Sequence, residues 1–328
     1  MHSQTEVRLW TLLSLLKDGG FHSGESLAAT LQVSRAQIWK WIRQLEAWGL
    51  DIHGVTGKGY RLANPLELLE EARIRKAITR ISPPQVTVLL TTDSTNTELA
   101  RRLKAHGDKG REVVLAEYQQ AGRGRRGRQW QSPLAANLYL SLSWRLQTGG
   151  PSPGGLSLVV GIALVRALES LGVEGLQLKW PNDLRWQGAK LGGVLVELSG
   201  EAGGELRAVI GIGLNVAMPE TIARSVGQPL TSLQSLVTES LSRNLLAART
   251  VEEIYLALEE FATSGFTGFQ DPWRACDEFL DCPVTLLIGE RSVTGIYRGV
   301  DGQGALLLEQ DGTTRTFHGG EISLRPQS

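Results

Sequence analysis

Residues 137–146, NLYLSLSWRL, place an apolar side chain at every second position, and a period of two brings such residues together only in a strand. Leu138, Leu140, Leu142, Trp144 and Leu146 share one face, and polar or mixed residues share the other, so the segment reads as a half-buried antiparallel strand. Strand patterns recur around residues 86–90 and in REVVLAEYQQ, LQLKWPNDL (broken by Pro181), KLGGVLVELS and ELRAVIGIGLNV. Between them GLSLVVGIALVRALESLG is an apolar helix closed by Gly172. Mixed strands with helices gathered to one side predict an α+β domain rather than a doubly wound parallel sheet.

The first sixty residues follow a different period. Leu9, Leu12, Leu13 and Leu16 recur at helical spacing before Asp18-Gly19-Gly20 stops the helix, and a short helix follows Ser23 with Leu27 and Leu31 inward. A third helix opens with Ser34 and Gln37 at capping-box spacing and buries Ile38, Trp41, Ile42 and Leu45. LDIHGVTGKGYRLA adds two short strands around Gly57-Lys58-Gly59. A plain three-helix bundle would show the same periodicity, but the cap and the strand pair together favour a winged helix-turn-helix. Its DNA contacts would come from Ser34, Arg35, Gln37, Lys40, Arg43 and Lys58.

At 328 residues the chain has length for two or three domains, and neither a membrane-length apolar run nor a signal-peptide layout is present. Two cysteines, Cys276 and Cys282, make a disulfide scaffold or a metal knot a poor fit and favour a reducing, cytoplasmic setting. Net charge is zero, yet residues 101–128 hold nine basic against three acidic side chains, a local demand for an anionic partner.

That demand centres on AGRGRRGRQW, residues 121–130. Nucleic-acid arms of this composition are normally disordered extensions, whereas this one lies between two strands. Glycines let backbone N–H groups approach a small anion, arginines supply forked donors, and Trp130 offers a ring for stacking. No G-x-x-x-x-G-K-[ST] element occurs, so the site is not a P-loop. Asp93-Ser94-Thr95-Asn96 sits at a strand-to-helix junction, where a Thr95–Glu98 capping box would explain the same residues. Lys179, Asp183 and Lys190 suit phosphoryl or adenylyl transfer, in which a fixed cation neutralises developing charge and a carboxylate takes a proton or positions an amine; a surface ion pair beside a proline turn would read alike. Gly192-Gly193 fits close approach of a ligand or a strand bulge. GIGLNV lacks the third glycine and the following helix of a dinucleotide fingerprint.

In order, DSTN, AEYQQAGRGRRGRQW, KWPNDL, KLGGVLVE and GIGLNV resemble the biotin–protein ligases, and the resemblance spans essentially the whole chain. A winged helix in front resembles the bifunctional bacterial form, which also represses biotin synthesis genes. The resemblance implies a winged helix over 1–64, a class II synthetase-like ligase domain over 65–270 and an SH3-like β-barrel over 271–328. It implies that biotin and ATP, with Mg²⁺, form biotinyl-5′-AMP, and that biotin then passes to one lysine of the biotin carboxyl carrier domain of acetyl-CoA carboxylase. Operator DNA and a homodimer promoted by the adenylate are further implied.

Carried onto this sequence, Ser94, Thr95 and Asn96 match biotin contacts and Gln119 a ligand-contacting glutamine. Arg123, Gly124 and Arg125 match the loop over biotin and the adenylate, with Arg125 also catalytic, and Trp130 matches the adenine-stacking position. Lys190 matches the lysine at the biotin carboxylate and α-phosphate. Asp183 matches the carboxylate that orients or deprotonates the incoming lysine, and Asn182, Gly193 and Asn215 fall on the nucleotide side. No metal-ligand set is implied. Two other readings compete: a biotin-sensing regulator without turnover, disfavoured by the joint presence of Arg123, Asp183 and Lys190, and a lipoyl ligase, disfavoured by the lack of an RRxxGG element.

Overall fold

The computed structural model describes residues 4–107, 110–147, 149–200, 206–288, 291–318 and 322–326, the last stretch by backbone alone. Helices α1 (Gln4–Leu16), α2 (Gly24–Leu31) and α3 (Arg35–Ala47) precede the hairpin β1 (Ile52–Val55) and β2 (Gly59–Leu62). Every apolar position assigned inward in these helices is buried. Ser23 and Ser34 cap α2 and α3, accepting from Ser26 N at 3.0 Å and Gln37 N at 3.2 Å. His22 exchanges backbone hydrogen bonds with Tyr60, adding a short third edge to the wing.

The chain continues through α4 (Glu71–Ala77), β3 (Gln85–Thr92), α5 (Thr95–His106), β4 (Glu112–Gln119), β5 (Leu138–Leu146), α6 (Leu156–Glu169), β6 (Leu176–Lys179), β7 (Asp183–Trp186), β8 (Ala189–Ser199), β9 (Leu206–Leu214), α7 (Glu220–Ser225), α8 (Arg243–Ser264) and α9 (Gln270–Cys276). Its seven-stranded sheet has the order β3-β4-β5-β9-β8-β7-β6, with β3 and β4 parallel and the other neighbours antiparallel.

Two expectations are corrected here. The helices lie on both faces: α6 and α8 share the large core, while α5 covers the opposite face through Leu99 and Leu103 against Val114, Ala116 and Val209. For that reason β5 is not half-buried. Its leucines enter the large core, and Tyr139, Ser141 and Ser143 on the other face are buried as well. Serines on that second face made it look like solvent; they are small polar positions beneath α5.

Residues 65–70, which follow the wing, are packed rather than free. Leu68 and Leu69 are buried, and Leu69 N donates to the buried Glu117. The winged helix continues this contact, since Trp48 stacks on Tyr118 at 4.7 Å and Leu134 N donates to Trp48 O at 2.7 Å. The C-terminal piece is all β, with β10 (Pro283–Ile288), β11 (Arg291–Val300), β12 (Leu306–Gln310), β13 (Thr313–Phe317) and β14 (Ile322–Pro326) in an antiparallel sheet ordered β13-β12-β11-β10-β14. Asp311-Gly312 turns β12 into β13 with φ of 50° and 76°, the left-handed pair of a tight hairpin. Trp180 Nε1 donates to Gly304 O at 3.1 Å, which joins this sheet to the β6–β7 hairpin.

Candidate active site

A cavity of about 430 Å³ opens over the β7-β8-β9 side of the sheet, and Ser94, Thr95, Asn96, Gln119, Arg123, Gly124, Arg125, Trp130, Asn182, Asp183, Lys190, Gly193 and Asn215 all line it. Residues drawn from well-separated stretches of sequence therefore converge on one space.

One end is polar and buried. The capping-box reading of Thr95 and Glu98 is corrected: Ser94 is the N-cap of α5 and makes no side-chain cap bond, and Glu98 pairs instead with Arg101 and Arg102. The hydroxyls are thus released from capping. Thr95 N donates to Gln119 Oε1 at 2.9 Å, and Ser141 Oγ lies 2.7 Å from Thr95 Oγ1 and 2.6 Å from Asn96 Oδ1. Ser141 has one hydroxyl proton for two acceptors, so the cluster can accept a ligand N–H. Ser141 carried no motif signal, because its importance arises from standing under α5.

The other end is cationic. Between β7 and β8 the register slips after Leu184, so that Arg185 faces Lys190 while Asp183 faces Gly193. A bulge beside a site re-aims side chains, and here it turns Lys190 onto Asp183. Lys190 Nζ meets Asp183 Oδ1 at 2.6 Å and stands 5.5 Å over the Trp130 ring. Burial pulls the Lys179 ammonium below its ordinary range, and neighbouring Arg185 and Lys190 add to the effect. Arg185 pairs with Glu278 at 2.9 Å, a contribution from just before the C-terminal sheet that the sequence reading missed. Asn215 Oδ1 is buried with no partner among the described residues, leaving an acceptor for a ligand amine.

Glycines decide the shape of the floor. An added Cβ on Gly213 would fall 2.5 Å from the Trp130 ring, and one on Gly211 would strike the Asn96 amide. The pair in GIGLNV is flat so that Asn96 and Trp130 can lie on β9. Gly192 is needed for packing, since its Cβ would meet Leu214 and Gly213 O, whereas Gly193 has ordinary room on the cavity side.

The Arg/Gly loop closes the cavity. Arg123 and Gln129 form a bridge, and Arg126 takes φ of 58° ahead of Gly127 at 68°. Arg123 contacts Glu197 at 3.1 Å, and Arg125 donates to Asn182 Oδ1 at 3.3 Å. Burial, then Arg126, lowers the Arg125 pKa, yet a guanidinium remains charged. Residues 226–230 form a further wall that no sequence pattern announced; Lys190 N donates to Pro229 O at 2.9 Å there. Among the described residues no group of three His, Cys, Asp or Glu could hold a metal, and no helix is long and apolar enough to cross a membrane.

The face of α3 away from the core exposes Arg35, Lys40 and Arg43, with Trp39 52% exposed between them. Ser34 Oγ is occupied by capping, Gln37 is half-buried, and Lys58 lies on the wing over Phe21.

Residues 88–215 match the biotin/lipoate A/B protein ligase family, residues 8–61 an HTH domain and residues 279–325 the biotin protein ligase C-terminal domain. The chain is 47% identical to the bifunctional ligase/repressor BirA of Salmonella typhimurium, over 96% of this chain and 97% of that one. It is 33% identical to the biotin–[acetyl-CoA-carboxylase] ligase of Mycobacterium tuberculosis, over 73% and 88%. Among solved structures, the biotin protein ligase from Aquifex aeolicus in complex with biotin and ATP superposes with a TM-score of 0.63 at 30% identity, over 74% of this chain and 99% of that one.

Proposed function

The chain belongs to the bifunctional ligase/repressors of the biotin protein ligase family, and on that premise we propose that the cavity runs two half-reactions in sequence. In the first, the biotin carboxylate attacks the α-phosphorus of ATP, the Pα–O bond to pyrophosphate breaks, and biotinyl-5′-AMP forms. In the second, the neutral amine of a carrier lysine attacks the acyl carbon and AMP leaves.

The observation that carries this reading is the polarity of the cavity. Ser94, Thr95, Asn96 and Gln119, with Ser141 beneath, offer acceptors and donors to the ureido ring at one end, while Lys190, Arg123 and Arg125 face the carboxylate and phosphates at the other. A cation fixed where negative charge develops lowers the barrier without reorganising. Trp130 and the unpartnered Asn215 Oδ1 suit an adenine ring and its amine, with Asn182 and Gly193 beside them.

Asp183 has two states in this scheme. Paired with Lys190 it is unavailable as a base; once Lys190 turns to the adenylate, Asp183 can orient the acceptor amine and receive its proton. Mg²⁺ would arrive with the nucleotide, because Asp183, the carboxylate among the described residues that line the cavity, is already engaged by Lys190. A closed loop keeps water from the acyl-adenylate.

The same reading divides the chain into a winged helix over 1–64, a ligase domain over 65–270 and a C-terminal domain over 271–328. The acceptor is the biotin carboxyl carrier domain of acetyl-CoA carboxylase, the setting is cytoplasmic, and adenylate binding promotes a homodimer. That dimer presents two copies of α3, with Arg35, Lys40 and Arg43, to an operator. The test combines purified protein, biotin, ATP, Mg²⁺ and a carrier domain, with the carrier's mass as readout. A gain of one biotinyl group is expected; no gain would sink the ligase reading, and a lipoyl gain from lipoate would replace it. Gel shifts on biotin-gene promoter DNA should tighten with biotin and ATP, and ligand-independent binding would remove the repressor half.

A further inference from the structure

The two ends of the Arg/Gly loop are joined beneath the cavity by one continuous run of side chains. At the far end Trp130 O accepts from Ser132 Oγ at 3.2 Å, and Ser132 Oγ accepts from Gln119 Nε2 at 3.0 Å. Gln119 Oε1 holds Thr95, Thr95 touches Ser141, and Ser141 reaches Asn96 Oδ1. The run then leaves the buried cluster: Asn96 Nδ2 donates to Glu197 Oε2 at 2.7 Å, and Glu197 Oε1 lies 3.1 Å from Arg123 Nη2, back on the loop.

Asn96 cannot turn freely within this run. It is 2% exposed, its Oδ1 is engaged by Ser141, and it lies flat against the bare Cα of Gly211. Its amide hydrogens therefore point towards Glu197, with Leu195 O a poorer acceptor at 3.4 Å. Arg123 gives Nη2 to both Thr97 Oγ1 and Glu197, which leaves its Nε and Nη1 hydrogens as separate donors to a ligand anion. Without the Glu197 carboxylate, Asn96 loses its short acceptor and Arg123 keeps only a neutral hydroxyl.

We propose that Glu197 is a positioning residue that aims Arg123 and transmits occupation of the buried polar end to the loop. It touches no reacting atom. Its carboxylate links a group that meets the ureido ring, Asn96, to a group that meets the anion, Arg123, so that filling one end stiffens the cover over the other. This assignment rests on the ligase reading above, but its geometry does not need turnover to be tested.

Glu197→Gln keeps the size and an acceptor for Asn96 while removing the charge that holds Arg123. In the full-length protein, trypsin should cut the ligand-free loop, with its four arginines at 123, 125, 126 and 128, about tenfold faster in the variant, the equivalent of one charge-assisted hydrogen bond. Biotin-dependent pyrophosphate exchange should fall by about the same factor in kcat, with biotin affinity within about twofold, because the contact serves the anion more than the ring. Glu197→Gln in an Arg123→Ala background should add almost nothing to the loss of exchange. Glu197→Asp should restore part of both signals. Unchanged tryptic cleavage, or exchange losses that multiply in the double variant, would overturn the proposal, as would loss of kcat that tracks a fall in Tm. Absence of exchange in the wild-type protein would instead overturn the ligase reading and leave the proteolysis result to judge Glu197.

Discussion

Two ion pairs in this molecule have the same length and opposite characters. Arg243–Glu117 and Lys190–Asp183 both measure 2.6 Å. Arg243 and Glu117 are 6% and 0% exposed, and the remaining capacity of the pair is spent on backbone: Arg243 donates to Glu67 O and Asn137 O at 2.9 Å, while Glu117 accepts from Leu69 N at 2.5 Å. Only Arg243 Nε lacks an acceptor among the described residues. Lys190 and Asp183 are 15% and 20% exposed, and the ammonium faces an indole and a cavity rather than further acceptors. Distance does not separate structure from function here. What separates them is whether the charges have donors and lone pairs left over, and whether a void stands next to those left over.

Removing the cation from each pair should split the two properties cleanly. Lys190→Ala leaves Asp183 open to the cavity, so unfolding stability should stay within about 0.5 kcal/mol, while adenylate formation should slow by about 10²–10³-fold and biotin binding should weaken far less. Equal losses in binding and rate would reduce Lys190 to a binding contact. Arg243→Ala strands Glu117 in the core and should cost about 3–5 kcal/mol of stability, with turnover per folded molecule nearly unchanged. Urea titrations beside single-turnover rates measure both. A lost rate with intact stability in Arg243→Ala would break the comparison.

The sequence made the cavity's contents legible and its engineering much less so. KWPND and the loop arginines declare themselves because charged residues and glycines beside strands have few structural excuses. Glu117 and Arg243, 126 positions apart, carry no such signal, since nothing local says that an Arg at a helix start meets a carboxylate in a strand. Ser141, Glu197, Arg185 and Glu278 were invisible for the same reason. Each acts through a partner brought close by topology, as when the β7–β8 bulge sets Lys190 against Asp183. The helical stripes of the winged domain were read correctly because periodicity reports burial on a helix directly. In β5 the same logic misjudged the serine face, because alternation cannot distinguish water from a covering helix.

The glycines allow a finer test of the same division. At Gly213 an alanine Cβ would displace Trp130, whereas at Gly192 it would press on Leu214 and Gly213 O inside the sheet. Gly213→Ala should raise KM for ATP about tenfold, roughly the worth of one ring contact, with biotin affinity held within about twofold. Gly192→Ala should instead cost about 1–3 kcal/mol of stability through overpacking. Initial-rate kinetics and thermal melts on the two variants distinguish them. Equal effects on KM would show that the β9 floor is a single surface without separate ring and packing duties.

The smallest expected effect concerns the joint between ligase sheet and C-terminal sheet. Asp277 bridges to Leu178 of β6, beside the Lys179–Asp183 turn, and accepts from Tyr297 Oη at 2.7 Å and Trp273 Nε1 at 2.8 Å. Burial pushes its carboxyl up to about 6, against the opposing pull of those hydrogen bonds. At pH 5 the folded protein thus holds a proton that the unfolded chain, with a carboxyl near its ordinary value of about 4, has released. The group's contribution to stability is therefore largest in acid and is lost as pH rises from about 4 to about 6. Allowing for partial solvation, the loss should be about 1–2 kcal/mol. Because Glu67 and Asp93 have lowered pKa values and act in the opposite direction, the informative quantity is the stability of wild type minus that of Asp277→Asn. That difference should fall across the interval, with urea midpoints as the measure. A flat difference would mean that the joint is as well solvated as the Lys190–Asp183 rim and would align it with the open pair rather than the closed one.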